Sequence, residues 1–346
     1  MGKIRVLIAD DSAFMRQVIN DMLSGDEVIQ VIGTARDGKD ALAKIRDFKP
    51  DVITLDVEMP RLNGLEVLKI VMKENNRPVI MLSSHTQSGS EITLTALSMG
   101  AVDFVAKPSS PSDLGSIKAE LKEKIVAAAN AARKKQGPGK EGLQPQKSVS
   151  ASVKKKRRPS LIGIGSSTGG PKALESLISQ LEEDFTVPIL ITQHMPAGFT
   201  KTFAKRLDSV SHLCVKEAAD GDHIEPGKVY LAPGGHHMCL REKRVISLNQ
   251  DPPVEHVRPS INVMLESAVS HYGDQLIGII LTGMGKDGAK GMFRLKEKGG
   301  LTMVQDEHSS VIFSMPKAVI DQKAADIVAP IDEMAGIIKE AVDSRR

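Results

Sequence analysis

Short apolar runs alternate with amphipathic stretches along the amino-terminal part of the chain. Five of these runs have the length and composition of buried strands: IRVLIA, VIQVIGTA, DVITLDV, RPVIML and VDFVAKP. The stretches between them carry apolar residues at helical spacing. Five strand–helix units of this kind predict a flavodoxin-like α/β domain, in which a five-stranded parallel sheet has helices on both faces.

The same alternation resumes at residue 160. Helices are predicted near 172–181, 198–208 and 260–272, between strands that read LIGIG, VPILIT, QLIGIILT, LTMVQ and IVAP. The stretch 213–250 consists of short apolar runs interrupted by Gly and Pro, which predicts hairpins inserted beside the main sheet. We therefore expect a larger doubly wound, mostly parallel α/β domain with an inserted hairpin region.

The segment between the two alternating regions has no apolar periodicity. Residues 133–159 are rich in Gly, Pro, Ser, Gln and Lys, which is typical of a flexible linker. The expected domains are therefore 1–132 and 160–346. The basic run at 154–158 is compatible with an anionic partner or a nuclear signal, but a solvated boundary is favoured.

Composition narrows the class of protein. A chain of 346 residues is too long for one ordinary core, and 41% apolar with 26% charged residues is typical of a soluble protein. The net charge of +3 without any Trp argues against single-stranded nucleic acid as a partner. No signal peptide or membrane-spanning run is present, and Cys214 and Cys239 are too few for a disulfide framework. We expect a cytoplasmic monomer that neither binds nucleic acid nor inserts into a membrane.

Polar residues follow the predicted strands of the first domain. They are Asp10, Asp11, Asp56, Ser83 and Lys107. Three carboxylates at one sheet edge repel each other unless a cation such as Mg²⁺ neutralises them. With that cation, Asp56 is a candidate acceptor of a phosphoryl group whose oxygens Ser83 and Lys107 would bind. Taken singly, each of the three acids is more readily explained as an N-cap or a solvated turn residue. The presence of all five polar residues at the strand ends favours a phosphoryl-accepting site.

These motifs make residues 1–132 resemble a response-regulator receiver domain. The resemblance rests on the acidic pair, on LDVEMPRLNG around Asp56, on MLSS and on the Lys107-Pro108 dipeptide. It implies that a histidine kinase phosphorylates Asp56 and that the Lys107–Pro108 bond is cis. It also implies that Phe104 is an aromatic switch and that the backbone of Glu58 joins the three carboxylates in binding Mg²⁺.

The second domain opens with the turn LIGIGSSTGGP, in which an apolar run stops at two serines, a threonine and two glycines. Pro171 fits the first turn of a helix, where no intrahelical N–H is needed. Ser166, Ser167 and Thr168 would then follow a strand beside free backbone N–H groups, which suits a nucleophile and an oxyanion. A phosphate cradle and a plain capped turn remain alternatives.

Two further polar residues follow buried strands of this domain. With Ser167, His194 and Asp287 supply the three groups of a nucleophile, its base and a carboxylate that orients the base. Alone, His194 is equally a helix-entry residue, and Asp287-Gly288 is a common turn dipeptide. A dinucleotide site is the main competitor, but it needs an acid after the second strand, where this chain has Gln193-His194.

The motifs GSSTGGP, ITQHMP and LTGMGKDGAKGM together resemble the catalytic domain of chemotaxis protein-glutamate methylesterases, the CheB family. The resemblance selects Ser167 as nucleophile over Ser166, which stands where members often have Ala. It makes His194 the base and Asp287 the acid. Thr168 and the backbone around Met284 would position the histidine and bind the oxyanion.

The combined resemblance implies an activity and its partners. We expect hydrolysis of glutamate γ-methyl esters on the cytoplasmic helices of chemoreceptors, with release of methanol, and deamidation of certain receptor glutamines. Mg²⁺ is expected in the receiver domain and no cofactor in the catalytic domain. The receiver is expected to pack across the mouth of the second domain until a chemotaxis histidine kinase phosphorylates it. The alternative is a receiver-controlled nucleotide- or DNA-binding regulator, although no helix-turn-helix pattern is present.

Two further groups of residues carry weaker signals. His236, His237 and Cys239 have metal-ligand side chains, but a solvated turn is the favoured interpretation. The segment HVRPSINVML begins at His256 and resembles a family segment near the active-site mouth. Its Arg258 either lines the pocket or caps a helix.

Overall fold

The computed structural model describes residues 2–74, 76–84, 86–108, 114–136 and 158–343. The chain divides into two compact units, residues 1–138 and 139–346. The predicted linker and its basic run lie almost wholly outside the described residues. Each described helix is too short or too polar to cross a bilayer.

In the first unit, parallel strands pair in the order β2-β1-β3-β4-β5, which confirms the flavodoxin-like prediction. Its described strands are β1 Ile4–Ala9, β2 Ile29–Ala35, β3 Val52–Asp56, β4 Val79–Ser83 and β5 Asp103–Ala106. Its described helices are α1 Ala13–Leu23, α2 Gly38–Phe48, α3 Gly64–Glu74, α4 Gln87–Met99 and α5 Leu114–Gln136. The sheet packs against α5 through Leu121 and Ile125, which are buried beside Ile8 and Val105.

The main sheet of the second unit is also parallel, in the order β14-β13-β12-β6-β7-β9-β8. The described strands are β6 Leu161–Ser166, β7 Ile189–Gln193, β8 Cys214–Glu217, β9 Lys228–Leu231, β10 His237–Glu242, β11 Val245–Asn249, β12 Leu276–Ile280, β13 Leu301–Gln305 and β14 Ile327–Ala329. The described helices are α6 Gly170–Ile178, α7 Phe199–Val210, α8 Ile261–Tyr272, α9 Ala289–Glu297, α10 Ser314–Asp321 and α11 Ile331–Asp343. The fold class of both units is therefore as predicted.

The inserted region differs from the prediction in part. The β8 and β9 strands extend the main sheet as parallel strands, with β9 paired to β7 through Val229 and Leu231. Only β10 and β11 form an antiparallel hairpin, as a separate two-stranded sheet. Gly221 and Gly227, both at positive φ, mark turns between the short strands. Such turns show where a strand ends but not the direction in which the next strand pairs, so the sequence pattern could not separate the two cases.

Two glycines of β6 let α8 lie directly against the sheet. A Cβ atom at Gly165 would be 2.4 Å from Cγ2 of Ile261, and one at Gly163 would be 2.9 Å from Cδ2 of Leu265. Ile261 is the first residue of α8, and Gly165 is the residue before the end of β6. The close packing therefore fixes the amino-terminus of α8 beside the carboxyl end of β6.

We expect Gly165→Val to lower the free energy of unfolding by about 1–3 kcal/mol, because the new side chain would displace Ile261 from a filled core. Urea unfolding followed by circular dichroism measures this change. Gly336→Ala is the matched control, since a Cβ there meets no atom within 4 Å and lies inside α11. That control should gain about 0.5–1 kcal/mol. An unchanged midpoint for Gly165→Val would contradict the packing described.

Candidate functional site

Three carboxylates meet at the carboxyl edge of the first sheet. Ligand atoms of Asp10, Asp11 and Asp56 all lie within 4.8 Å of one another. Asp10 and Asp56 are buried, whereas Asp11 is exposed. The ammonium of Lys107 lies 2.8 Å from Oδ2 of Asp10 and 2.8 Å from Oδ2 of Asp56. The strand ends therefore bring these four predicted residues together.

The charges of this cluster do not balance. Burial and the carboxylate of Asp10 raise the pKa of Asp56 to about 6, although Lys107 opposes the shift. Burial alone would lower the pKa of Lys107, but its hydrogen bonds to Asp10 and Asp56 raise it instead. One ammonium among three carboxylates leaves an excess of negative charge, and the Asp11 carboxylate is exposed to solvent. This donor set fits a hard divalent cation.

Ser83, Phe104 and Glu58 also lie at the predicted places in the first unit. Each makes contacts that the sequence did not predict. The buried hydroxyl of Ser83 accepts a hydrogen bond from Thr93 at 2.6 Å and donates one to the Gly89 carbonyl at 3.2 Å. It is therefore bonded to α4. Phe104 is buried, and the ammonium of Lys124 lies 5.4 Å from its ring centroid. The backbone N–H of Glu58 lies 3.4 Å from Oδ1 of Asp56.

The expectation that the Lys107–Pro108 peptide bond is cis is wrong. Among the described residues, the cis bond is Arg258–Pro259, and the Lys107–Pro108 bond is trans. The trans form is the default for an X–Pro bond by about 0.5–1 kcal/mol. In this conformation the Lys107 side chain already reaches both buried aspartates.

In the second unit, the imidazole of His194 and the carboxylate of Asp287 form a pair. Nε2 of His194 lies 2.8 Å from Oδ2 of Asp287, and both side chains are largely buried. His194 follows β7 and its backbone N–H donates to the Ser166 carbonyl at 3.1 Å. Asp287 lies in the loop between β12 and α9. Two distant parts of the chain therefore meet as predicted.

The amino-terminus of α8 holds the Asp287 carboxylate. Oδ1 accepts from the Ser260 hydroxyl at 2.9 Å and the Asn262 N–H at 3.0 Å, while Oδ2 accepts from the Ile261 N–H at 2.6 Å. Burial alone would raise the pKa of Asp287, but the hydrogen bond and charge of His194, together with these N–H groups, lower it below its usual value. The carboxylate is therefore a fixed anion rather than part of a simple turn.

The residue after Asp287 has to be a glycine. Gly288 has a φ of +96°, and a Cβ there would lie 2.6 Å from Cδ1 of Ile280 and 2.9 Å from Cγ2 of Ile261. The turn therefore passes close to both β12 and the start of α8. This close approach brings Asp287 within reach of the α8 N–H groups.

Ser167 is half-buried at the end of β6. Its backbone N–H donates to the Thr282 carbonyl at 3.1 Å, and a Cβ at Gly283 would lie 2.9 Å from Cβ of Ser167. The loop after β12, which includes half-buried Met284, therefore passes directly beside Ser167. Within the described part of the chain, no hydrogen bond joins the Ser167 hydroxyl to His194. Thr168 is buried in the same turn, and its carbonyl accepts from the Thr282 hydroxyl at 2.9 Å.

Gln193 links the serine turn to the histidine, a role that the sequence analysis missed. Its amide nitrogen donates to the carbonyls of Ser167 at 2.9 Å and His194 at 3.0 Å. Its amide oxygen accepts from the Ser166 hydroxyl at 2.6 Å. A Cβ at Gly170 would lie 2.0 Å from that oxygen, so the turn needs a glycine there. The sequence did carry one indication of this role, because Gln193 is a polar residue at the end of an otherwise apolar buried strand.

Family models cover both units. Residues 162–338 match CheB methylesterase, and residues 6–118 match the response regulator receiver domain. The chain belongs to the CheB methylesterase family. The catalytic-domain match covers the strands and loops that carry Ser167, His194 and Asp287, and it gives no support to the nucleotide- or DNA-binding alternative.

Relatives of this CheB-family chain match it along nearly its whole length. A protein-glutamate methylesterase/protein-glutamine glutaminase from Pyrococcus horikoshii is 45% identical over 99% of this chain and 94% of its own. One from Thermotoga maritima is 45% identical over 94% of this chain and 95% of its own. The crystal structure of the Thermotoga maritima CheB methylesterase catalytic domain has a TM-score of 0.52 and 43% identity, covering 53% of this chain and 98% of that one.

The histidines, cysteine and arginine that gave weaker signals in the sequence have different environments in the structure of this CheB-family chain. The solvated-turn interpretation is wrong for His237. The residue is 1% exposed, and both of its ring nitrogens are hydrogen-bonded. His237 is buried because it is the first residue of β10 and contacts the start of α8. His236 contacts Gln250, and Cys239 is half-buried. Among the described residues, the acidic cluster of the receiver is the one group with metal-ligand geometry. Arg258 donates to the carbonyls of residues 250 and 251 at 2.7 and 2.9 Å, and His256 is exposed.

The raised pKa of Asp56 predicts a pH-dependent effect on stability. Between about pH 4 and pH 6, the folded state holds a proton that the unfolded chain releases, so the free energy of unfolding falls as pH rises. Asp56→Asn removes this penalty. We expect it to raise the free energy of unfolding at pH 7.5 by on the order of 2–3 kcal/mol, and by much less at pH 4.

Urea unfolding at the two pH values measures the difference. Asp47→Asn is the control, because its exposed carboxylate lies outside the acidic cluster and should add little at either pH. An equal gain for Asp56→Asn at both values would mean that the gain does not come from removing a protonatable group.

Proposed function

We propose that this chain hydrolyses glutamate γ-methyl esters on chemoreceptor cytoplasmic helices, using Ser167 as nucleophile, His194 as base and Asp287 as orienting acid. The carrying observation is the 2.8 Å bond between His194 and Asp287 at the strand edge where Ser167 also lies. The chain is an enzyme of the protein-glutamate methylesterase and protein-glutamine glutaminase class, as its full-length relatives are. Its receptor substrate would place the reaction in the cytoplasm.

In the proposed mechanism, each ring nitrogen of His194 has its own task. Asp287 can only accept a hydrogen bond, so Nε2 carries the proton that faces it and Nδ1 is left to accept a proton. The Ser167 hydroxyl would transfer its proton to Nδ1 as its oxygen attacks the ester carbonyl. Contacts of this kind commonly tighten only in the substrate complex, which agrees with the lack of a hydrogen bond between the Ser167 hydroxyl and His194 in the described part of the chain.

Two steps complete the reaction. The tetrahedral intermediate collapses to an acyl-enzyme while the histidine returns the proton to the leaving methoxide, which departs as methanol. Water then attacks the acyl-enzyme and gives a proton to the histidine. As the bond between the acyl carbon and Ser167 Oγ breaks, the histidine returns that proton to Oγ, which releases the glutamate product and regenerates the Ser167 hydroxyl. A glutamine substrate follows the same route with ammonia as the leaving group.

The oxyanion formed in these steps needs donors beside Ser167. The Met284 backbone N–H is our candidate, because Gly283 brings its loop against Ser167. Thr168 would position the histidine side of the site, since it lies in the same turn as Ser167. Both assignments are supported by the close packing of the β6 and β12 loops.

The receiver would control this reaction through Asp56. A histidine kinase would transfer a phosphoryl group to Asp56, with Ser83 and Lys107 binding the phosphoryl oxygens. Mg²⁺, held by the carboxylates of Asp10, Asp11 and Asp56 and the backbone of Glu58, would neutralise the charge of that group. Lys107 already contacts Asp56, whereas the Ser83 hydroxyl would have to leave its bonds to α4. That exchange is a candidate for the local switch.

Ser167→Ala should lower methanol release from methylated receptor by at least about a thousandfold, because the attacking oxygen is lost. Release of labelled methanol from receptor membranes measures it. Ser179→Ala is the control, since Ser179 lies at the opposite end of α6 from the site. Near-normal turnover by Ser167→Ala would remove Ser167 from the mechanism.

Asp56→Asn should abolish the increase in methanol release that acetyl phosphate and Mg²⁺ produce in the parent, while leaving Ser167 able to react. The same assay with and without acetyl phosphate measures it. Asp51→Asn is a suitable control, because this aspartate lies before β3 rather than at its carboxyl end. Equal activation of Asp56→Asn and the parent would show that control does not pass through Asp56.

A further inference from the structure

We propose that His237 is a positioning residue that holds Asp287 in its working orientation through Ser260. The inference rests on the proposed function, in which Asp287 orients His194. It gives the inserted hairpin a role in the reaction, although the hairpin contributes none of the three reacting groups.

An unbroken series of hydrogen bonds connects the four residues. Nδ1 of His237 accepts from the Ser260 backbone N–H at 3.1 Å. The Ser260 hydroxyl donates to Oδ1 of Asp287 at 2.9 Å. Oδ2 of the same carboxylate lies 2.8 Å from Nε2 of His194. His237 and Ser260 are both essentially inaccessible to solvent, so water cannot replace either partner.

The partners of His237 fix the tautomer of its ring. The Ser260 N–H can only donate, so Nδ1 is without a proton, and the Pro252 carbonyl, 3.2 Å from Nε2, can only accept. The ring is therefore neutral and bound on both sides. A metal ion would have to displace one of these buried bonds, which argues against the metal-ligand interpretation of this histidine.

Ser260 is held at both its backbone and its side chain. It is the N-cap of α8, and its hydroxyl lies 3.5 Å from the Val263 N–H while it donates to Asp287. Without an acceptor at residue 237, the buried Ser260 N–H would be unpaired, which is costly enough to move the backbone. A movement of Ser260 also moves the Ile261 and Asn262 N–H groups, which hold the remaining positions around Asp287.

The hairpin is a firm support for His237. Beyond its first residue, β10 is tied to α8 by the Leu240 N–H, which donates to the Ser267 hydroxyl at 3.1 Å. Met238 and Leu240 are buried in one apolar cluster with Met264 and Leu265 of α8. The hairpin and α8 therefore pack as one body, and His237 connects that body to the catalytic carboxylate.

Three substitutions separate positioning from simple core filling. His237→Asn keeps an acceptor at the place of Nδ1, whereas His237→Leu keeps the volume without any acceptor. His237→Gln carries its amide one bond farther out, toward Pro252 rather than Ser260. His271→Leu is the matched control, because His271 also binds a backbone carbonyl, that of Leu240, but at the other end of α8.

Two measurements on the full-length chain test the proposal. Steady-state methanol release should show a kcat about tenfold lower for His237→Leu and His237→Gln, with KM little changed, and His237→Asn within about threefold of the parent. In ¹⁵N-histidine-labelled protein, the downfield ring N–H resonance of His194 should move or broaden in the His237→Leu and His237→Gln variants. It should persist in His237→Asn and in His271→Leu. Its loss in Asp287→Asn would assign the resonance.

An unchanged resonance and an unchanged kcat in a folded His237→Leu chain would overturn the proposal. Equal decreases of kcat in His237→Asn and His237→Gln would also overturn it. If the Leu variant does not fold, the comparison of Asn with Gln decides the question. If the parent releases no methanol, the proposed function fails, but the resonance still reports whether His237 fixes the pair of Asp287 and His194.

Discussion

The site in the second unit depends on one buried anion. Asp287 lies at the amino-terminus of α8, where two backbone N–H groups, one hydroxyl and the imidazole of His194 surround its carboxylate. Burying a carboxylate is unfavourable unless such donors replace water, and the positive end of the helix adds to their effect. The orientation of His194 therefore follows from where α8 begins. That point is in turn set by Gly165 and Gly288, which let Ile261 approach the sheet.

The two units place buried aspartates at strand or loop ends, but their environments act on them in opposite directions. Burial, together with the neighbouring Asp10 carboxylate, raises the pKa of Asp56 to about 6, although Asp56 and Asp10 share the Lys107 ammonium. Asp287 has only donors around it, and its pKa is lowered. In the proposed function, the first arrangement would favour the binding of a cation and phosphorylation of Asp56. The second would keep the charge of Asp287 constant while the ring of His194 gains and loses a proton.

The sequence was sufficient for the fold class because strand periodicity and strand–helix alternation reflect local burial. It also predicted that Asp10, Asp56 and Lys107 meet in the first unit and that His194 and Asp287 meet in the second, since the carboxyl ends of parallel strands in one sheet share one edge. Other features depend on contacts between distant segments, which no local pattern encodes. The parallel pairing of β8 and β9 is one, and the bonds of Gln193 to two carbonyls are another. The trans bond at Lys107–Pro108 and the choice of Ser167 over Ser166 likewise lay beyond local pattern.

His237 shows most clearly where local reading fails. A histidine pair after two glycines has the composition of a solvated turn, and nothing nearby in sequence indicates burial. Its partners, Ser260 and Pro252, are supplied by a segment that returns to the hairpin only because α8 packs on β6. In the proposed mechanism, an insertion outside the parallel sheet would thus support chemistry at the edge of that sheet. Because this support would act on the helix that holds the Asp287 carboxylate, it would bear on the geometry of the reacting groups rather than on substrate binding.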